Sequence, residues 1–166
     1  MRTSVTMILA LALLAACSKP QPPAEAGNVV APAAEAPAPS LTATQKKALL
    51  ADLPAAYQSA DLDNGQAKFA ICKTCHTTAK GGENMTGPNL WGIFGRKAGT
   101  APGFSYSDGV KSLGITWNAE AIDHWIENPR AVVPGTKMTY IGMANAKDRI
   151  DVVAYLKTVT SPPPAG

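Results

Sequence analysis

Apolar and polar residues follow three different patterns along this chain of 166 residues. From Val5 to Leu14 every residue but Thr6 is apolar, after a short, weakly basic Met1-Arg2 start. Such a run matches a secretory h-region and is too short to span a bilayer, which needs about 20 apolar residues. From Ser18 to about Ser40 the chain is mostly Pro and Ala with scattered Glu, Gln and Gly, and shows no apolar period. That composition cannot bury a core, so it predicts a disordered or partly polyproline tether. Thr42 to Asp52 has helix-forming composition with Leu49 and Leu50 as its apolar residues, and Pro54 ends it.

Helical periodicity dominates the remainder. It predicts one helix over about Asp63–Cys75, carrying Phe69, and a second over Ala119–Glu127, capped by Asn118 and stopped by Pro129. A third is predicted over Ala146–Thr158, opened by Asn145, with Ile150, Val153, Ala154 and Leu156 on its apolar side. No strand alternation of convincing length and no internal repeat is visible. The partition that follows is a signal peptide over 1–16, a tether over 17–53 that includes the short helix, one globular domain over 54–160 and a flexible tail over 161–166. A domain of that size has a limited core of its own. The Gly/Pro-rich stretch from Gly81 to Gly114 is too long for a free loop and makes sense when wrapped around a bound group.

Cys72-Lys73-Thr74-Cys75-His76 names the group. CxxCH is the attachment signature of a c-type haem: two thiols one helical turn apart reach the vinyl groups of one porphyrin, and the adjoining imidazole reaches the iron. A thioredoxin-like dithiol would need a βαβ setting. A structural zinc would need a second ligand pair, and the chain has only one other Cys, Cys17, and one other His, His124. His124 falls within the predicted second helix, away from any ligand motif, and reads as a surface or groove residue.

Cys17 belongs to the export signal. Leu14-Ala15-Ala16-Cys17 resembles a bacterial lipobox, which implies acylation of Cys17 and a lipid anchor; ordinary cleavage would instead leave a stray thiol. Either way the chain is expected to be exported to the periplasmic side, where covalent haem attachment takes place. A tether of this length reaches roughly 35 Å as a flexible coil and about 100 Å if extended as polyproline.

Further motifs resemble the mitochondrial-like branch of class I cytochrome c, in its order and with nearly its spacing: Thr86-Gly87-Pro88-Asn89-Leu90, Phe94-Gly95-Arg96-Lys97, Ala101-Pro102-Gly103-Phe104, Gly114-Ile115-Thr116-Trp117, Glu127-Asn128-Pro129 and Pro134-Gly135-Thr136-Lys137-Met138. The resemblance runs from about Gly65 to Leu156. It implies an all-α fold in which the terminal helices cross around one covalently attached haem c, with His76 and Met138 as iron ligands. It further implies that the Pro88 carbonyl accepts a hydrogen bond from His76, and that Arg96, Tyr106 and Trp117 face the haem propionates. Met85 and Met143 compete with Met138 only by residue type, since neither has its sequence context.

The chain departs from that family at three places. Val110 stands where an Asn is common and Trp125 where a Tyr often approaches the methionine, so the buried polar network is expected to differ. Ile71, Met85, Ala144 and Asn145 replace lysines expected around the haem edge, leaving Lys73, Lys97, Arg130 and Lys137. From Asp61 onward eleven Lys/Arg face nine Asp/Glu, a weak field for steering. The function expected is one-electron transfer by a lipid-anchored monomer, between a quinol-oxidising membrane complex and a terminal oxidase or other exported acceptor. No nucleic-acid partner and no enzymatic activity are expected. The alternatives are a haem peroxidase or gas sensor, which need an open iron position, and a fixed subunit of a larger complex.

Overall fold

The computed structural model describes residues 41–164. The expected signal peptide, Cys17 and the Pro/Ala stretch lie outside the described residues, as do the last two residues of the tail. Regular structure among the described residues is helical, apart from one isolated antiparallel bridge between Lys97 and Thr116. The all-α expectation therefore holds.

Two short helices open the described chain, α1 (Ala43–Ala51) and α2 (Ala55–Gln58). Thr42 starts α1 with a capping box: its hydroxyl accepts from the Gln45 N–H, and its own N–H donates to the Gln45 side chain. The Gln58 side chain donates to the Leu53 carbonyl at 2.7 Å and closes the connection. Leu49, Leu50, Leu53 and Tyr57 are buried, and both helices pack on the last helix. Burial pushes the Tyr57 hydroxyl up to about 12, with Asp123 and Glu120 adding to the rise and Arg149 opposing it.

The next helix, α3 (Leu62–Phe69), starts at Asp61, whose carboxylate accepts from the N–H groups of Asp63 and Asn64. It ends earlier than the helix predicted over Asp63–Cys75. A 3₁₀ turn over Cys72–Thr74 replaces its final part. The Thr74 hydroxyl donates to the Ile71 carbonyl at 2.7 Å, and the N–H groups of Cys75 and His76 both turn back to the Cys72 carbonyl. These local bonds tighten the chain, an effect apolar periodicity cannot register.

Past a long connection that includes α4 (Asp108–Lys111), α5 (Ala119–Glu127) has the predicted bounds, with the Asn118 side chain accepting from Ala121 N–H at 2.8 Å. Pro129 does stop α5, and it opens a further turn, α6 (Pro129–Val132), as its first residue. The last helix, α7 (Ala146–Thr160), is capped by Asn145 and buried on nearly all sides. Val152, Val153, Ala154 and Leu156 are enclosed by α1, α2, α3 and α5, while Ile150 is half-buried. Its buried hydroxyls, Thr158 and Thr160, bond back to the carbonyls of Tyr155 and Leu156.

The crossing of α3 over α7 is close because Gly65 faces the α7 backbone. A Cβ at position 65 would stand 2.2 Å from the Asp151 carbonyl oxygen. Phe69 meets Tyr155 one turn further on, with ring centroids 5.6 Å apart. Asp151, almost wholly buried, accepts from Asp61 N–H at 2.9 Å, from the Asn64 amide at 2.7 Å and from Lys147 at 2.7 Å. Burial works to raise its carboxyl, but these donors outweigh it and hold the group below the usual range. Asp148 is held low by Asn64 and Lys68. Both carboxylates stabilise the fold above the ordinary carboxylate pKa of about 3.9, and that contribution is lost as pH falls through their depressed values.

The crossing generates a prediction of unusual sign. On an open helix surface Gly→Ala gains about 0.8–1 kcal/mol. Gly65→Ala is instead expected to cost about 1–3 kcal/mol, because the two backbones must part. Urea unfolding of the holoprotein measures it, and an unchanged or raised midpoint rejects the close crossing.

Candidate functional site

One cavity of about 500 Å³ collects side chains from α3, the 3₁₀ turn, the long connection with α4, α5, the segment around Met138 and α7. The 3₁₀ turn contributes Cys72, Cys75 and His76. The long Gly/Pro-rich connection contributes Pro88, Leu90, Ile93, Arg96, Phe104, Tyr106, Ser107 and Val110. Trp117, then Ile122, Trp125 and Ile126 of α5, form further wall, as do Met138 and its neighbours and Val152 and Leu156 of α7. All eight cofactor residues expected from the sequence, Cys72, Cys75, His76, Pro88, Arg96, Tyr106, Trp117 and Met138, therefore line the same space. Wrapping this cavity explains how so long a connection stays ordered.

The thiols and the imidazole are set by local backbone bonds. Burial pushes the Cys72 thiol up to about 11; a backbone hydrogen bond works against this and the nearby Cys75 thiol adds to it. A redox dithiol depends on a depressed pKa, so this environment disfavours that chemistry. His76 Nδ1 lies 2.7 Å from the Pro88 carbonyl oxygen, which can only accept, so Nδ1 carries the proton and Nε2 keeps its lone pair. Burial lowers the His76 pKa, Pro88 opposes the shift and Arg96 adds to it, which favours the neutral imidazole a metal requires. Gly87 makes the approach possible: a Cβ there would lie 2.3 Å from His76 Cε1. Its N–H donates to the Cys75 carbonyl at 2.8 Å and pins the strip against the turn.

Met138 is the methionine that lines the cavity. Met143 packs in the core, with its N–H on the Ile126 carbonyl and its own carbonyl on Arg149, and Met85 is exposed at the surface. The Met138 N–H donates to the Thr136 hydroxyl at 3.2 Å, and Lys137 reaches across to the Ser105 carbonyl at 2.9 Å. Lys137, read from sequence as a surface charge, thus also braces this segment. The Trp125 indole N–H points at the Met138 sulfur, with Nε1 and Sδ 3.2 Å apart. His124 is exposed, 3.8 Å from Glu127, and lies outside the cavity.

Polar groups in the cavity wall are only partly satisfied by the described residues. Ser107 Oγ is buried and has no hydrogen-bond partner among the described residues, although Ser107 stands at the start of α4 where a serine usually caps the helix. Arg96 spends two N–H groups on the carbonyls of Trp91 and Asn89 and has no carboxylate partner among the described residues. Burial lowers its pKa, and Tyr106 nearby counters that. Burial likewise raises the Tyr106 pKa, against the pull of a hydrogen bond at Ala101 and of Arg96. Phe104 packs edge-on against the Tyr106 ring at 4.8 Å. A half-buried cation without a carboxylate partner and an orphaned hydroxyl suit a ligand that brings carboxylates, while the remaining wall is apolar and aromatic. A haem has both characters, so these residues fit one. Sequence reasoning missed Gly87 and Ser107; a glycine before Pro88 and a serine after Tyr106 were visible, but their roles depend on what faces them.

Comparison with known proteins agrees. The cytochrome c family model matches residues 62–160. Cytochrome c2 of Rhodomicrobium vannielii is 45% identical over 103 residues, 62% of this chain and 82% of that protein. Cytochrome c of Gibberella zeae is 48% identical over 101 residues, 60% of this chain and 95% of that protein. The solved structure of cytochrome cH from Methylobacterium extorquens superposes with a TM-score of 0.55 at 42% identity, covering 59% of this chain and 98% of that one. The chain belongs to the cytochrome c family, as an electron-transfer protein whose family binds one covalently attached haem c.

Proposed function

We propose that this chain is a membrane-tethered electron shuttle between a quinol-oxidising complex and a terminal oxidase or other exported acceptor. The observation that carries the reading is the convergence of both thiols, a neutral imidazole and one thioether on a single cavity. When bound, the haem supplies a one-electron couple at its iron. Cys72 and Cys75 hold the porphyrin through thioether bonds. His76 is the proximal ligand, and its bond to Pro88 fixes the ring and raises its basicity. Met138 is the sixth ligand, a soft neutral donor that favours the reduced state and fills the position a peroxidase or gas sensor would leave open. Arg96, Tyr106 and Trp117, with Ser107, receive the propionates.

The electron route is the rim near the attachment turn. Ile71 and Ile141 line the cavity and are exposed by 53% and 87%, and Met85, exposed by 49%, donates its N–H to the carbonyl of Gly87, which also lines it. Such a rim gives little electrostatic steering. Cys17, as a lipidated first residue on the periplasmic side, and the Pro/Ala stretch after it supply effective concentration in its place. Among the described residues no helix is long and apolar enough to cross a membrane. The anchor proposed is the lipid implied by Leu14-Ala15-Ala16-Cys17. Stoichiometric copurification with one complex, rather than turnover with several, is the outcome that favours a fixed subunit.

Three outcomes are expected. Met138→Ala should abolish the long-wavelength sulfur-to-iron band of the ferric protein and raise peroxidase activity; survival of the band means that another group is the ligand. Cys17→Ser should release the protein from membranes with its haem retained, and full membrane retention without an acyl mass at the amino terminus argues against the anchor. A soluble fragment beginning at Leu41, which keeps α1 and its buried leucines, should retain its spectrum but deliver electrons more slowly to membrane oxidase. Raising the salt should slow that fragment only modestly. A steep salt dependence, or equal turnover by soluble and anchored forms at matched concentration, would overturn the tethering argument.

A further inference from the structure

The residues that both line the cavity and stand in solvent are Ile71, Thr74, Thr86, Lys137, Thr139 and Ile141, so they mark where it opens. Lys137 alone among them carries a charge. Its ammonium is turned aside, donating to the Ser105 carbonyl at 2.9 Å with the Ser105 hydroxyl at 3.4 Å. Lys73, between the two attachment cysteines, is likewise drawn off, with its Nζ over the Tyr155 ring 5.9 Å from the centroid. The exposed large apolar side chains of the described residues, Ile71, Met85 and Ile141, all fall at or beside this opening. The rim is therefore apolar, with uncharged hydroxyls between.

Such a surface has a particular relation to a copy of itself. In a two-fold encounter each patch meets its own duplicate, so every charge on it faces a like charge. A ring of lysines repels a second copy, whereas an uncharged apolar rim admits one. The rest of the domain adds little repulsion, since from Asp61 onward eleven Lys/Arg stand against nine Asp/Glu. We infer that a second copy of this chain is itself a redox partner: two molecules meet rim to rim and pass one electron, the reduced copy becoming oxidised and the oxidised copy reduced. No bond forms or breaks, and no proton moves.

The encounter is brief. The exposed rim is far smaller than the roughly 20–30 residues a side of a stable interface, so the protein remains a monomer between encounters. The consequence is hopping of electrons between neighbouring carriers, by which an electron reaches a distant acceptor without one molecule travelling the whole way. Anchoring favours it, because tethers with a reach of roughly 35 Å hold neighbouring copies in one thin layer. The inference rests on the rim as electron route, proposed above, and needs neither the anchor nor a named membrane complex.

Self-exchange is measured on the full-chain holoprotein, half reduced, in non-ionic detergent at one chain or fewer per micelle, from the broadening of haem-methyl NMR signals as concentration rises. The two copies are identical, so the driving force is zero at any potential, and a substitution that shifts the potential does not bias the comparison. The unsubstituted protein should show little salt dependence. Ile71→Lys and Ile141→Lys should each lower the second-order rate constant about three- to tenfold at low salt, and raising the salt should restore most of it. Ala51→Lys, which adds the same charge at an exposed position on α1 outside the cavity wall, should leave the rate within about twofold. A rate that climbs steeply with salt in the unsubstituted protein, an equal fall in Ala51→Lys, or an unchanged rate in both rim variants overturns the proposal. In the last case turnover of the same variants with membrane oxidase separates the two readings. Slower delivery keeps the rim as electron route and rejects only exchange between copies, and unchanged delivery rejects the route as well.

Discussion

The backbone contact between α3 and α7 at Gly65 is the constraint on which the rest of the structure depends. It sets how deeply α3 lies against α7, and so where Phe69 and then the Cys72–His76 turn emerge beside the cavity. The same helix α7 supplies Val152 and Leu156 to the cavity wall. One close crossing therefore positions both the attachment turn and the surface opposite α3. The buried Asp151 carboxylate belongs to this arrangement. With three donors it is a satisfied charge, and it ties the start of α3, through the Asp61 N–H and the Asn64 amide, to the middle of α7.

The cavity is the other half of the core. In a domain this small, side chains alone do not fill the space lined by Leu90, Ile93, Trp117 and Ile122 together with Phe69 of α3 and Val152 and Leu156 of α7. The group that fills this space must be large, flat and apolar over most of its area, with anionic ends for Arg96 and Ser107. The protein's own contribution to the chemistry is then mostly restraint. His76 is locked in one tautomer by Pro88, and Gly87 lets the two come together. Met138 is braced along its backbone and capped at its sulfur.

The sequence disclosed the parts of this arrangement that are local in the chain. Thiol spacing, the adjoining histidine, the caps at Asn118 and Asn145 and the stop at Pro129 each act within a few residues, and each has its structural counterpart. What was illegible depends on a partner distant in sequence. Nothing in the residues around Gly65 says that the Asp151 carbonyl faces it, and nothing around Ser107 says that its hydroxyl leaves the helix end unused. The helix predicted over Asp63–Cys75 was too long for a related reason. Apolar spacing continues through Ile71, while the backbone is redirected by the Thr74 hydroxyl and by shared use of the Cys72 carbonyl.

The short helices before residue 62 change the meaning of the last helix. The family segment begins at residue 62, so α1 and α2 lie ahead of it. Read alone, α7 shows an amphipathic pattern with one apolar side. In the fold it is buried on nearly all sides, because Leu49, Leu50, Leu53 and Tyr57 cover a face that α3 and α5 leave free. Its polar groups are accommodated accordingly: Arg149 pairs with Asp123 and donates to the carbonyls of Met143 and Ala144, and Thr158 and Thr160 bond within the helix. Tyr57 lies near that same Arg149 and Asp123 pair. The residues nearest the proposed tether are thus built into the core around α7, and a pull transmitted from the amino-terminal side meets packed leucines before it meets the attachment turn.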